Sequence, residues 1–180
     1  MGQGVHFSGP LKVDGVTVVD ESGNIIGPIS ATAGSIGSTE LAENTIQTAT
    51  VTLTAAEIVG TAAGDIGHAS GAVLVAAPGA GKILEFVSAV LSYDYATAAY
   101  TGGNNDLVIR QGTTAVSAAI ADADLIGDTA DDIAYVNALS AADIKLTANS
   151  TINLAGTAYT NPGTAAGTLK VHVMYRVHSA

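Results

Sequence analysis

The sequence predicts an all-β protein, an antiparallel jelly-roll-like β-sandwich that follows an N-terminal β-hairpin arm. The first sign is the alternation of apolar and polar residues in short stretches after residue 46, which is typical of half-buried strands. The second is the close spacing of Gly, Asn and Asp turn signals between those stretches, without a second helical pattern. The third is an apolar fraction of 48% that rests on Ala, Val, Ile and Leu, with no Trp. About eight short strands of this kind form a sandwich of jelly-roll type.

The composition limits the possible partners. The net charge is -10, from 16 acidic and 6 basic residues, so the chain cannot assemble the basic patch that nucleic acids or anionic membranes require. Charged residues make up only 12% of the chain, well below the share of about 25% in an ordinary soluble domain. We therefore expect copies of the same chain to cover much of an uncharged surface. The absence of cysteine excludes disulfides and thiolate chemistry.

The N-terminal residues, Met1 to His6, have neither the basic nor the apolar stretch of a signal peptide. No apolar run reaches the length needed to cross a bilayer. We therefore expect the protein to be made in the cytoplasm and to have no membrane partner.

Residues 1–29 are predicted to form an attachment arm. An Asp-Gly pair, Asp14-Gly15, stands between two short apolar runs, which predicts a two-residue hairpin. A further turn leads into Ile25-Ile26 as a third short strand. Strands this short bury little surface, so the arm needs a neighbour. That neighbour is its own domain, a sister subunit or a docking surface.

The composition changes to Ser, Ala, Thr and Gly in residues 30–46, which predicts a linker, and residues 47–180 are predicted to form the sandwich domain. The alternation in Gln47–Leu53 predicts its first strand, and the spacing of Thr54 and Glu57 predicts a capped helical turn. The segment Lys82–Tyr95 is apolar on both faces, so it is central or lies at a subunit interface. Thr168–His178 alternates regularly, with its odd-numbered residues apolar. Further strands are predicted at Ala72–Ala76, Asp106–Gln111, Thr114–Ala118, Ile133–Asn137, Asp143–Ala148 and Thr151–Leu154.

Sequence motifs for chemistry are incomplete. The stretch Ala76–Ile83 resembles a phosphate-binding loop, but it lacks the first Gly and the Ser or Thr after Lys82, so it is interpreted as a hairpin turn. The acidic run Asp122–Asp132 lacks two EF-hand ligands, which favours a solvated loop over a calcium site of another type. The four histidines are scattered, and no Gly-x-Ser-x-Gly elbow is present. We therefore predict no catalytic residue, metal or cofactor.

Two groups of residues are candidates for a subunit interface. Tyr93, Tyr95 and Tyr100 form an aromatic cluster that either packs between subunits or stacks on a sugar. Lys170 and Arg176 share the polar face of the last strand with two histidines. This cationic strip either contacts an acidic loop of a neighbouring subunit or faces solvent.

Several segments resemble bacteriophage proteins. Residues 36–42, Ile-Gly-Ser-Thr-Glu-Leu-Ala, resemble the repeats of tail-fibre and head-fibre proteins, and Val5–Pro10 resembles the start of capsid decoration and fibre proteins. Four segments of the main domain resemble a recurrent domain of tailed-phage virion structural proteins. They are Val73–Lys82, Leu91–Tyr100, Asp106–Arg110 and Gly167–Arg176.

The resemblance implies a non-enzymatic protein of the virion surface that forms a homotrimer and contacts the major capsid protein or neighbouring virion proteins. It implies that the N-terminal segment anchors the molecule, which makes Val5, Phe7, Pro10 and Leu11 candidate anchoring residues. We expect a capsid decoration protein, either a cement protein or a short head fibre, on the capsid exterior. The alternatives are a tail-fibre subunit that recognises a host glycan and, more remotely, an enzyme with a jelly-roll core.

Overall fold

A computed structural model describes residues 11–13, 16–19, 44–101, 106–140, 144–157, 159–160 and 167–180. The chain divides into two units, Met1–Leu41 and Ala42–Ala180. Within the described ranges, no helix is long and apolar enough to cross a membrane.

The first unit contains an antiparallel hairpin of β1 (Leu11–Val13) and β2 (Val16–Val19). Val13 pairs with Val16, so the strands meet across the Asp-Gly pair as predicted. The third predicted strand, at Ile25-Ile26, lies outside the described residues.

The described residues of the second unit form eight strands, one short helix and one 3-10 turn. The strands are β3 (Gln47–Leu53), β4 (Ala72–Val75), β5 (Lys82–Asp94), β6 (Val108–Gln111), β7 (Thr114–Ala115), β8 (Asp132–Asn137), β9 (Ile152–Ala155) and β10 (Thr168–Ser179). The helix α1 spans Ala55–Val59, and the 3-10 turn spans Asp122–Asp124.

These strands form two four-stranded antiparallel sheets in the orders β3-β10-β5-β8 and β4-β9-β6-β7. Pairing is nested: the first strand of the unit pairs with the last, and each following strand pairs one step inward, down to β6 with β7. This is the wrapped double ribbon of a jelly roll. The predicted fold class is confirmed.

The first strand and the helix follow from local sequence. β3 has the predicted bounds, and Leu53 at its end is 2% exposed. The Thr54 hydroxyl accepts a hydrogen bond from the Glu57 N–H, and the Glu57 carboxylate accepts one from the Thr54 N–H. This capping box starts α1, as the spacing predicted. Gly60 ends the helix with an extended backbone.

The long strand β5 departs from simple alternation. Its pairing with β10 shifts register where Met174 opposes Ser88 and Tyr175 opposes Phe86, so Val87 is the extra residue of a bulge. The bulge changes which residues face the core, and Leu91 therefore shares the buried face with Leu84 and Phe86. Strict alternation along the sequence predicts Leu91 on the same face as Ile83 and Val87, and that prediction is wrong because of the bulge.

Two other local predictions are wrong. Residues 144–148 are not a strand, because the Gln111 side chain takes the hydrogen bonds of the Thr147 backbone, which donates to Oε1 at 2.8 Å and accepts from Nε2 at 2.6 Å. The turn at Pro78–Gly81 is not a hairpin, because β4 and β5 belong to different sheets. It instead carries the chain from one layer of the sandwich to the other.

The core lies between the two sheets. In β10, the predicted inward residues are all buried, at 0–7% exposure. They are Leu169, Val171, Val173, Tyr175 and Val177. The opposite sheet contributes Ile109, Ile152 and Leu154 at 0% exposure. Burial of these side chains stabilises the sandwich and leaves the outer faces of the sheets available for function.

Candidate functional site

The outer face of the β3-β10-β5-β8 sheet is the most distinctive surface of the domain. Strand pairing places residues from the four strands side by side in rows. One row contains Thr52, Lys170, Ser92 and Ile133, the next contains Thr50, His172, Val90 and Tyr135, and the third contains Thr48, Met174, Ser88 and Asn137. We call this surface the outer face.

Large apolar side chains are exposed on the outer face. Ile133 is 67% exposed and Tyr135 is 65% exposed, and the two are neighbours on one side of the edge strand β8. Met174, on β10, is 39% exposed. Exposed apolar residues grouped on one surface are typical of interaction sites.

An open groove of about 760 Å³ crosses the end of the outer face where β5 ends and β8 begins. All four strands contribute to it. Its lining residues are Thr52, Ser92, Tyr93, Asp94, Asp131, Asp132, Ile133, Thr168 and Lys170. Three carboxylates and one ammonium group make the groove acidic.

Three carboxylates of the acidic run accept hydrogen bonds from backbone N–H groups. Asp131 accepts a hydrogen bond from the Tyr95 N–H at 2.9 Å, and Asp132 accepts one from the Ile133 N–H at 2.7 Å. Asp122 accepts one from the Ala123 N–H at 2.9 Å. Within the part of the chain that the structure describes, no group of three or more His, Asp or Glu residues is placed to hold a metal ion. This arrangement favours the interpretation of the run as a loop over the calcium alternative.

The predicted cationic strip is divided by an acidic residue that the sequence analysis missed. A Glu85 oxygen lies 3.5 Å from Nη1 of Arg176 and 2.7 Å from Nε2 of His178, so Arg176 has an ion-pair partner in its own chain. No sequence pattern identifies Glu85 as this partner, because the pairing of β5 with β10 exists only in the folded sheet. Lys170 is exposed and makes no ion pair among the described residues.

The three tyrosines are brought together as predicted. The ring of Tyr93 lies 6.4 Å from that of Tyr95 and 6.1 Å from that of Tyr100, measured between centroids. Tyr93 and Tyr100 are only 1% and 3% exposed, so their rings pack inside the domain. Burial raises the pKa of Tyr100 to about 12, with a smaller contribution from Tyr93. Tyr95 is partly buried. A role for this cluster at a subunit interface stays a prediction.

The candidate anchoring residues belong to the first unit. Val5, Phe7 and Pro10 lie outside the described residues. Leu11 is the first residue of β1 and pairs with Val19. Their role in anchoring stays a prediction.

Two further motifs prove to be structural. Gly79 and Gly81 have positive φ angles of 99° and 72°, which only a glycine adopts without strain, and Lys82 begins a strand instead of a helix. His68 Nδ1 lies 2.6 Å from the Ser70 hydroxyl and also accepts the Ser70 N–H at 3.2 Å. Both contacts close an exposed turn and do not form a nucleophile with an oriented base.

No family model matches the chain. No curated protein matches it significantly. Among solved structures, the chain is similar to a chain of the "Cyanophage Pam1 capsid asymmetric unit", at 19% sequence identity and a TM-score of 0.39. That alignment covers 83% of this chain and 99% of the other. A TM-score this low does not establish a shared fold.

Proposed function

We propose that this protein is a non-enzymatic structural component of a phage virion, a trimeric decoration protein that stabilises the capsid exterior as a cement protein or short head fibre. The N-terminal arm anchors the protein to the capsid, and the jelly roll faces outward. Attachment of three arms from one trimer makes the whole tighter than any single contact.

The observation that carries the proposal is the group of exposed apolar side chains on the outer face of an otherwise complete jelly roll. Ile133 and Tyr135 are each about two-thirds exposed although the core between the sheets is closed. A monomer gains nothing from such residues, whereas an assembling subunit buries them against a neighbour. The low content of charged residues, 12%, suits the same use.

The arm is the second support. The β1–β2 hairpin has strands of three and four residues, which are too short to be stable in isolation. Short strands of this kind gain stability when they pair with or pack on a larger surface. A capsid shell presents such a surface on each of its repeated subunits.

The glycan-binding alternative depends on the stacking of the tyrosine cluster on a sugar. The rings of Tyr93 and Tyr100 are buried and cannot stack in this way.

Immunogold electron microscopy on intact virions tests the proposal. Label distributed over the icosahedral head is the expected result. Label confined to the tail would replace decoration with receptor binding, and unlabelled virions would overturn a virion role altogether. An antibody raised against residues 47–180 is suitable, because this part is proposed to face outward.

A further inference from the structure

We infer that the outer face joins copies of this chain, with one side of the face in one copy packed against the other side in the next. The β8 side consists of Ile133 and Tyr135, with Asp131 just before the strand. The β10 side consists of Thr50, Thr52, Lys170 and His172. The inference rests on the proposed function, because it names the surface that holds the proposed trimer together.

Exposed apolar residues are concentrated at β8. Three of the six large apolar residues that are exposed in the described part of the chain, Ile133, Tyr135 and Leu139, lie on β8 or just after it. β8 is also an edge strand, and soluble proteins commonly protect such edges with charged side chains, especially Lys. The bridge between Ser117 and Ala138 covers only the end of this edge. The remaining length needs a partner.

Charges of opposite sign that form no ion pair occupy the two sides. Lys170 stands on the β10 side, and Asp131, which directly precedes β8, lines the groove at the same end of the sheet. Neither makes an ion pair with another described residue. If adjacent copies run in the same direction, Lys170 of one copy meets the Asp131 carboxylate of the next. Complementary charges of this kind fix the register of an interface.

The same charges select between two symmetries. A two-fold contact of the β8 side with itself about an axis along the strands brings Asp131 close to the same residue of the partner, and like charges repel. A contact between two different sides avoids this repulsion and closes into a ring when the rotation permits. A ring of three is the arrangement that the proposed trimer requires. The neutral hydroxyls of Thr50 and Thr52 allow Tyr135 to pack on the β10 side without displacing a charge.

The test compares the subunit dissociation constants of the full-length protein and its variants by analytical ultracentrifugation. The wild type is expected to sediment as a trimer. The double variant Ile133→Ser/Tyr135→Ser should raise the dissociation constant by about a hundredfold or more, because exposed anchors of this type carry most of the binding energy. Val73→Ser is the matched control, since Val73 is 46% exposed on the edge strand of the other sheet. This control should remain a trimer.

A charge variant gives an independent measurement if the serine variant does not fold. Lys170→Glu should raise the dissociation constant by about tenfold at low salt, and the difference should shrink in 1 M NaCl because salt screens exposed charges. A wild-type monomer, or trimers that survive both changes, would overturn the inference. So would a trimer that persists but no longer attaches to capsids, because the outer face would then dock on the capsid. A wild-type monomer would also contradict the trimer of the proposed function. The other two results would leave virion labelling positive and overturn the interface alone, so in those cases the two proposals fail separately.

Discussion

The hydroxyl of Tyr100 donates a hydrogen bond to the backbone carbonyl of Gly167 at 2.6 Å. The bond is buried, and it ties the segment after β5 to the residue that precedes β10. A Cβ atom at Gly167 would lie within 2.8 Å of the Tyr93 ring and closer still to the Asp94 carbonyl oxygen, so the position requires glycine. Among the described residues, the buried hydroxyl of Tyr93 has, by contrast, no hydrogen-bond partner.

The two tyrosines should respond differently to loss of the hydroxyl. Tyr100→Phe leaves the Gly167 carbonyl without its partner and should lower the free energy of unfolding by about 1–2 kcal/mol. Tyr93→Phe removes an unsatisfied buried hydroxyl, so stability should stay within about 0.5 kcal/mol of the wild type or increase. Urea denaturation of both variants measures the difference. Equal losses would contradict the hydrogen-bond assignment.

Alkaline pH should weaken the domain through Tyr100. Its pKa is raised in the folded state from 10.0 to about 12 by burial, so folding favours the neutral form. The stability that this provides is complete below the unfolded pKa, about 10, and is lost as the pH rises through the folded value. Denaturation curves between about pH 8 and about pH 12, the range over which tyrosines titrate, should show this loss. The slope should be smaller in Tyr100→Phe.

Gln111 should prove essential for holding the segment after residue 143. Its side chain is fully buried and bonds both the N–H and the carbonyl of Thr147. Gln111→Leu should lower the free energy of unfolding by about 1–3 kcal/mol, because both backbone groups lose their partner. Hydrogen exchange at the Thr147 amide should become faster. Thr147→Ala, the control, keeps both bonds and should have little effect.

The capping box should make α1 sensitive to acid. Hydrogen bonds from the Thr54 backbone and hydroxyl lower the pKa of Glu57 below its ordinary value of 4.5. The stability that the charged form provides is therefore present above pH 4.5 and is lost as the pH falls through the lowered value. Thr54→Ala should cost about 1 kcal/mol at neutral pH. Thr61→Ala, at an exposed position outside the cap, should cost nothing measurable.

Removal of residues 1–46 should abolish attachment to the capsid but leave assembly of the trimer intact. All the buried residues of the core cluster lie between Leu53 and Val177, so the remaining chain should fold. We expect a soluble trimer that no longer binds particles, measured by light scattering and by co-sedimentation with capsids. Loss of trimerisation in this variant would contradict the assignment of residues 47–180 as an independent domain.

The sequence predicts the parts of the fold that depend on residues close together in the chain. The bounds of β3, the cap at Thr54 and the alternation of β10 depend on neighbours in sequence, and all three were predicted. The bulge at Val87 was not, because it depends on how β5 and β10 align across the sheet. The Thr147 backbone forms its hydrogen bonds with the Gln111 side chain instead of with a neighbouring strand. The periodicity of the sequence does not reveal such a contact.

The candidate site was less predictable for a related reason. β8 carries apolar residues on both faces, so the sequence alone does not show that Val136 faces the core while Ile133 and Tyr135 face outward. The outer face is recognised as a surface that needs a neighbour only when the strand order places β8 at the edge of the sheet. The partnership of Arg176 with Glu85 likewise depends on strand order.

The nested pairing of the jelly roll also determines where a fused peptide or an inserted epitope would lie on the domain. Gln47 pairs with Tyr175, and the Asn44 N–H donates to the Val177 carbonyl at 3.0 Å, so the chain enters the domain beside the place where it leaves. A peptide fused after Ala180 would therefore emerge next to the tethered end of the domain. The loop at residues 128–130 precedes β8 at the opposite end of the sheet, so an epitope inserted there would lie at the end away from Asn44 and Val177.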